Sequence, residues 1–497
     1  MTTLKDRTFH ALKWSYLSFF TNLLLQPLFS ALLARLLGPK EFGVVAAATV
    51  LYSAGYFLAD LGVGVALVQK KTLTNENVRA AFTASVVLGL LSTALAWVIA
   101  PLAGPYFEDP AVVPVARAYA ASYILSTLVI VSTSLLRRAL RFKPIMIAEV
   151  SSYVLGIGVT SVGMAYLGFG AFSLPIGVAV QYVVQLVVTY AFARHSLRPI
   201  FRWSAYRDLF GFGSRATLVT FLEFLSSNID TLMIGRLYDS ATLGLYNRAY
   251  NTVCMPLLGL ARNFTRVLAP SFGQVQDDQA KLRTGYLTGL QALSLVLFTL
   301  AFGVLVCAPE IVHVLLGDKF AAAVPVMQVL ALFIPFPVLS NLAAVLAEAT
   351  ARLNVKIAVQ TVYLAVLAAA FWGAHRAGLG LAGFALALFV VGVMRDVAYA
   401  FVARGIIGGH GGAILRAHLE GLAAGLLTGV ALLAAVWPLR SSGVSPFVII
   451  AVELVVGGGA MLLVTLYGPS AELRVLSRKL LRAVTDRLKR TRDAVRS

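Results

Sequence analysis

Ionisable side chains set inside long apolar stretches are the residues of this chain best placed to do chemistry. Glu223, Asp230, Arg248, Arg262 and Arg266 lie close together in sequence among Leu, Val, Phe and Ala. An ionisable group at bilayer depth costs roughly 2.5 to 3.5 kcal/mol on insertion scales, so such residues face a wet cavity or a partner. On a helix, positions 248, 255, 259, 262 and 266 fall within about 40 degrees of one line, which puts the three arginines on a shared face. A guanidinium stays charged when partly desolvated and donates two parallel hydrogen bonds to one oxyanion, so a phosphate is its natural ligand. Arg262 and Arg266 are expected at the end of this face nearer the basic side of the membrane, where capture of a phosphate competes with simple snorkelling to headgroups. Arg248 is expected toward the other end, and Asn251 joins them as a candidate substrate ligand.

Other helices offer further polar groups. Asn22 and Gln26 precede Pro27, and Tyr52, Tyr56 and Asp60 recur at intervals of four; Asn22, Gln26, Tyr52 and Tyr56 are further candidate substrate ligands. Glu223, Ser227 and Asp230 share one helical face. Asp60, Glu223 and Asp230 are candidates for proton or cation coupling, set against the alternative of static salt bridges to the arginines. Arg395 and Asp396 are expected to pair locally, and Glu420 and Glu453 to be structural. Pro256 is expected to break its helix, as are Pro335 and Pro337, because proline removes a donor and clashes with the preceding turn.

The elements that must position these groups follow from composition. The 497 residues are 59% hydrophobic and 13% charged, with mean hydropathy +0.83. That is too apolar for a soluble domain and predicts an all-α polytopic membrane protein. Apolar runs of about 20 residues place fourteen transmembrane helices, the second near 42–68, the eighth near 245–270 and the last near 443–467. The start of the chain reads as a retained first helix, since no small-residue cleavage site follows. Cys254 and Cys307 lie in apolar runs without Cys or His at metal spacing, so neither a disulfide, a metal site nor a cofactor is expected.

A formal charge of +19 could suggest nucleic acid, but the placement of the charge points to topology. Allocating each Lys and Arg to its nearer membrane face gives roughly 33 against 8, so both termini are expected in the cytoplasm. The basic tail from Ala471 to Ser497 carries Leu473, Leu476, Leu480, Val484 and Leu488 at helical spacing. It suits an amphipathic helix on anionic lipids, or a frayed tail that only fixes topology. No connection on the sparse side exceeds about a dozen residues. A processive glycosyltransferase needs a cytosolic sugar-nucleotide domain, and polymerases and ligases generally carry a large external loop, so both classes are disfavoured.

An internal repeat organises the chain. Arg35-Leu36 followed by Gly43 matches Arg236-Leu237 followed by Gly244, an offset of 201. Ala100-Pro101 ahead of Val113-Pro114-Val115 is echoed by Ala308-Pro309 ahead of Val324-Pro325-Val326, and Arg141 falls opposite Arg352. The expected organisation is therefore an N-terminal six-helix half over 1–204 and a C-terminal half over 205–408. Helices 13 and 14 then cover 409–469, and the tail 470–497. Two even-numbered copies enter the membrane in the same direction, which implies an axis along the membrane normal and a central cavity between the halves.

The motifs Asn228-Ile-Asp230-Thr-Leu-Met-Ile-Gly235, Leu243-Gly244-Leu245-Tyr246-Asn247-Arg248-Ala249-Tyr250 and Arg266-Val-Leu-Ala-Pro270-Ser-Phe272 carry a resemblance. So do Gln276-Asp277-Asp278, Asp60-Leu-Gly62 with Val68-Gln69-Lys70-Lys71, and Arg35-Leu-Leu-Gly-Pro39 with Phe42-Gly43. The chain resembles the Wzx-type polysaccharide exporters, in the colanic acid exporter-like branch of the multidrug/oligosaccharidyl-lipid/polysaccharide superfamily. The resemblance implies a non-enzymatic flippase that exports polyprenyl-diphosphate-linked oligosaccharide across a bacterial inner membrane, with other polysaccharide assembly proteins as possible partners. A cation-coupled antiporter of small solutes is the rival within that superfamily, and a membrane polymerase or ligase the rival outside it.

Overall fold

The computed structural model describes residues 4–60, 62–70, 72–202, 206 and 214–467. Within these ranges the side chains of 4–12, 16, 57, 58, 60, 214–221, 256, 260–271, 465 and 467 are not described. The basic tail lies outside the described residues.

Among the described residues the chain is helical and has no strand. Hydrocarbon offers no partner for a backbone N–H or C=O, so a segment that crosses it must satisfy these groups within itself. Each of the fourteen expected runs carries a helix. In chain order these are α1 (Leu4–Leu36), α2 (Pro39–Asp60), α3 (Asn75–Ile99), α4 (Val112–Arg138), α5 (Phe142–Tyr166), α6 (Gly170–Phe192) and α7 (Ser214–Leu237). They continue with α8 (Ser240–Gln274), α9 (Gln279–Leu316), α10 (Asp318–Ala349), α11 (Leu353–Arg376), α12 (Gly380–Ile406), α13 (Gly411–Ser441) and α14 (Pro446–Tyr467). Among the described residues, 11 helical stretches are long and apolar enough to cross a membrane. The protein is a multi-pass helical membrane protein.

Three details differ from the sequence reading or refine it. The second run stops at Asp60, and a short helix Val63–Gln69 follows Gly62, whose φ of 76° is the left-handed turn that a β-carbon disfavours. Proline does not break α8, which continues as one helix from Ser240 through Pro256 to Gln274. In α10 the break does occur: one segment ends at Phe333 and the next begins at Pro335.

The repeat is visible in the backbone itself. α1 ends at Leu36 and α7 at Leu237, while α2 begins at Pro39 and α8 at Ser240, each pair 201 residues apart. Further along, Leu140 (φ 54°) and Ala351 (φ 59°) both adopt the left-handed conformation after a helix end. Each is followed by the same closing hydrogen bond, Arg141 N to Leu136 O at 2.9 Å and Arg352 N to Ala347 O at 2.8 Å. Gly168 and Gly170 are likewise matched by Gly378 and Gly380, all with positive φ. These left-handed turns recur at offsets of 210 and 211, against 201 for the first hairpins, and are consistent with the repeat read from the sequence.

By proximity the chain divides into two compact units. One comprises 1–248 with 315–320, the other 249–314 with 321–497. In the first unit the start of α2 crosses the start of α8 at backbone contact. A β-carbon at Gly43 would overlap the Ser240 carbonyl oxygen, and one at Gly244 would overlap the Pro39 carbonyl oxygen. Because 39 and 43 map onto 240 and 244 by the same offset, this contact is its own image, the signature of a local two-fold relation. The flanking loops follow it. Arg236 pairs with Glu108, and the Ser240 hydroxyl donates to Asp109 at 2.7 Å. On the other side, Lys319 donates to the Arg35 carbonyl at 3.3 Å, and the Phe320 ring meets Phe42 edge-on at 5.9 Å. Each loop thus packs against the hairpin of the other repeat. Asp239 caps α8 by accepting the Thr242 N–H at 2.9 Å, and hydrogen bonds from the Thr242 side chain and from this backbone N–H hold its carboxyl below the usual carboxylate range.

In the second unit, α13 lies along α9. Gly421 approaches the Ser294 backbone and Gly425 the Phe298 backbone, the small-residue spacing by which helices pack without a hydrophobic driving force.

Two stability outcomes follow. Gly244→Ala should lower thermal stability in detergent by about 1 to 3 kcal/mol, because the obstructing atoms are backbone and cannot rotate away. Ala351→Gly should raise it by about 0.5 to 1 kcal/mol by relieving the left-handed strain, and an unchanged melting temperature would contradict that reading.

Candidate functional site

The polar features of the first unit converge on Arg248, one turn beyond the glycine crossing. Its guanidinium stacks on the Phe42 ring, with Cζ 4.1 Å from the ring centroid. Nη1 donates to Ser30 Oγ at 3.3 Å and Nη2 to Asn247 Oδ1 at 3.1 Å. Nε is sealed from solvent and makes no hydrogen bond. Among the described residues no carboxylate pairs with Arg248, and the groups within its electrostatic reach are the Tyr119 and Tyr153 hydroxyls. A cation–π contact and two neutral acceptors replace only part of the water that this ion gives up. The arginine is therefore oriented and held, and its charge is not cancelled.

Tyr119 leads from Arg248 into an aromatic cluster. The Tyr52 ring stacks on Tyr123 at 4.7 Å with planes 17° apart, and lies 5.5 Å from Tyr119 and 6.4 Å from Tyr56. The Tyr52 hydroxyl reaches that of Tyr182 at 3.4 Å. Tyr123 donates to the Tyr52 carbonyl at 2.7 Å, which locks one edge of the cluster to α2. A cavity of about 160 Å³ opens beside it, lined by Tyr52, Gly55, Ser92, Ala96, Ala116 and Tyr123.

The other residues singled out from the sequence fall as follows. Tyr52 is half-buried and Tyr56 is exposed. Asn22 turns back on its own helix, donating to the Ser18 carbonyl at 3.0 Å, and the Ser18 hydroxyl donates to Glu149 at 2.6 Å. Gln26 is exposed on α1, and Asn251 is half-buried in the second unit. Arg262, Arg266 and Asp60 sit on described backbone, in α8 and at the end of α2, but their side chains lie outside the described residues. Glu223 is exposed. Asp230, 6% exposed, is held by a tyrosine: Oδ2 accepts the Tyr246 hydroxyl at 2.7 Å and Oδ1 the Thr231 N–H at 2.7 Å. A hydroxyl within its own hairpin thus takes the place of the arginine envisaged for it.

Charges in the second unit are mostly matched. Asp396 does not pair with its neighbour Arg395. It meets His418 Nε2 at 2.9 Å across two helices, while Arg395 stacks over Tyr363 at 4.8 Å and Tyr399 at 5.7 Å. Adjacent helical residues point about 100 degrees apart, so a neighbour in sequence is a poor partner in space. Glu420 is bound by Arg416 at 2.7 Å and by Gln291, and Lys356 pairs with Glu348. Ser30, Tyr119, Tyr123, Tyr153 and Tyr182 were missed by sequence reasoning, and Phe42 was noted only within a motif, because a single uncharged residue without a polar partner at helical spacing shows its role only through tertiary contact.

Comparison with known proteins places this arrangement. Residues 32–325 match the family described as "Polysaccharide biosynthesis protein". The Escherichia coli (strain K12) lipopolysaccharide biosynthesis protein WzxC is 24% identical over 330 residues, 66% of this chain and 67% of that protein. The succinoglycan biosynthesis transport protein ExoT of Rhizobium meliloti (strain 1021) is 28% identical over 321 residues, 64% of each chain. The teichuronic acid biosynthesis protein TuaB of Bacillus subtilis (strain 168) is 25% identical over 356 residues, 69% of this chain and 71% of that one. Among solved structures, the lipid II flippase MurJ in an inward closed conformation shares the fold with a TM-score of 0.69 at 12% identity, covering 95% of this chain and all of that one. An inward-facing multidrug resistance MATE transporter of the MOP superfamily follows at 0.61 and 15%, covering 80% and 96%. With more than half its length inside the family match, this chain belongs to the polysaccharide biosynthesis protein family.

Proposed function

We propose that the protein is a flippase, a transporter and not an enzyme. It moves polyprenyl-diphosphate-linked oligosaccharide repeat units across a bacterial inner membrane by alternating access, for assembly of an extracellular polysaccharide. The observation that carries this reading is Arg248, a guanidinium near the start of α8 with a sealed Nε and no carboxylate partner among the described residues. A permanent cation is kept at such depth when an anion repays its desolvation, and a diphosphate does so with charge-assisted hydrogen bonds. The sealed Nε and the neutral partners leave donors to be recruited when that anion arrives.

The tyrosines beside it suit the rest of the substrate. Sugars present alternating hydroxyl and C–H faces, so a site built of aromatic faces and phenol hydroxyls binds them without a fixed charge. Tyr52 and Tyr56, with Tyr119 between them and Arg248, would receive the glycan, and the lipid tail would remain in hydrocarbon. Arg262 and Arg266 are proposed as the first phosphate contacts on the cytoplasmic side, where both termini would also lie. The names of the relatives agree with this assignment: ExoT is described as a biosynthesis transport protein and MurJ as a lipid II flippase. Of the carboxylates a cation-coupled antiporter could use here, Asp230 is hydrogen-bonded by Tyr246.

The test is complementation in a strain lacking its own copy of the gene. Arg248→Gln should cut polymer export more than tenfold at equal protein abundance, since charge-assisted hydrogen bonds are worth about 1.5 to 3 kcal/mol and 1.4 kcal/mol is a factor of ten. Arg248→Lys should recover part of it, keeping charge without the planar fork. Wild-type export by Arg248→Gln would remove Arg248 from the mechanism. The same result for the double variant Arg262→Gln with Arg266→Gln would remove the proposed entry contacts.

A further inference from the structure

The helices beyond the repeat carry an unbalanced group of charges. Within the second unit, Glu310 of α9, Arg440 of α13 and Glu453 of α14 come together. Arg440 Nε donates to Glu310 Oε1 and Nη2 to Glu310 Oε2, both at 2.7 Å, and Nη2 also donates to the Val306 carbonyl at 2.8 Å. This planar fork is spent on one carboxylate. Glu453 Oε1 stands 3.8 Å from Nη2, an ion-pair contact beyond hydrogen-bond range, and apart from the weak donor of the Cys307 thiol no hydrogen-bond donor reaches either Glu453 oxygen. Yet Glu453 is only 4% exposed and Glu310 6%. α14 packs on α13 and α9, and the titratable or charged groups that these turn toward Glu453 are Arg440, Glu310 and the Cys307 thiol.

Two carboxylates and one arginine sum to one negative charge if both acids are ionised. A second buried carboxylate that shares an arginine already forked onto the first is costly in its charged form, and one further positive charge would remove that cost. A metal cation does not fit. Hard cations replace their water with about six oxygens, and Glu453 offers two.

We propose that Glu453 is a proton-binding site, neutral while Arg440 is locked to Glu310. Its proton leaves only when the arginine transfers to it, with Glu310 taking up a proton in exchange. Atoms and charge balance in that exchange: one proton and one guanidinium are shared between two carboxylates. Arg440 is the element that connects the site to water, since its side chain is 31% exposed and it sits one residue from the end of α13. The exchange therefore couples a proton to a rearrangement between α9 and the two helices outside the repeat, whichever substrate the protein carries.

Infrared spectroscopy of the purified full-length protein in lipid vesicles tests this through the carbonyl stretch of protonated carboxyl groups. Wild type minus Glu453→Gln at neutral pH should show loss of one such band. Glu310→Gln should abolish the same band, because Arg440 is then free to pair with Glu453 and ionise it. Gln is isosteric with the neutral acid, so Glu453→Gln should fold and melt at no lower temperature than wild type at neutral pH. An unchanged carbonyl band in Glu453→Gln, or failure of that variant to fold, would overturn the proposal, since either means that Glu453 is ionised.

Discussion

Much of the first unit depends on one backbone contact, the crossing of α2 and α8 at Gly43 and Gly244. Helices in hydrocarbon gain little from burying apolar surface against one another, so they associate where small residues let backbones touch. At this crossing any side chain would hold the helices apart. Closeness there has a chemical consequence. Phe42 adjoins Gly43 and Arg248 lies one turn beyond Gly244, so the same approach lays the guanidinium on the ring. The loops that interlock across the hairpins, Glu108 with Arg236 and Phe320 with Phe42, brace that contact from both sides.

Charge is handled in two ways within this apolar protein. Asp396 has His418, Glu420 has Arg416 and Gln291, and Lys356 has Glu348, so these groups cost little because each ion or dipole answers another. Arg248 and Glu453 break the pattern in opposite senses. One is a cation held by neutral groups, the other an acid whose only nearby arginine is already committed. A low-dielectric surrounding magnifies both imbalances. An arginine keeps its charge and waits for an anion, whereas a carboxylate can shed its charge by holding a proton.

The fold was largely legible in the sequence. Apolar length located most of the helices, 11 of them long and apolar enough to cross a membrane among the described residues, since a segment that crosses hydrocarbon has few alternatives to a helix. The repeat read from the sequence is consistent with the left-handed turns at Leu140 and Ala351, which recur although their side chains differ. Reading Arg395 with Asp396, or Asp230 with an arginine, failed for a different reason. Sequence proximity says nothing of direction around a helix, and a tyrosine hydroxyl one hairpin away satisfied Asp230 where a charge had been envisaged.

By itself, then, the sequence determined that this is a many-helix membrane protein with charged side chains along its helices. Hydrophobic period, helix length and charge are properties of a chain and can be counted along it. Only the tertiary structure decided which of those charges are answered. Arg248 and Arg440 each stand without another charged residue within four positions in sequence. One lies on an aromatic ring with neutral partners and the other is forked onto a carboxylate more than a hundred residues away. That difference belongs to helix packing, because a charge in a bilayer is defined by what reaches within a few ångströms of it, and sequence spacing does not encode that distance.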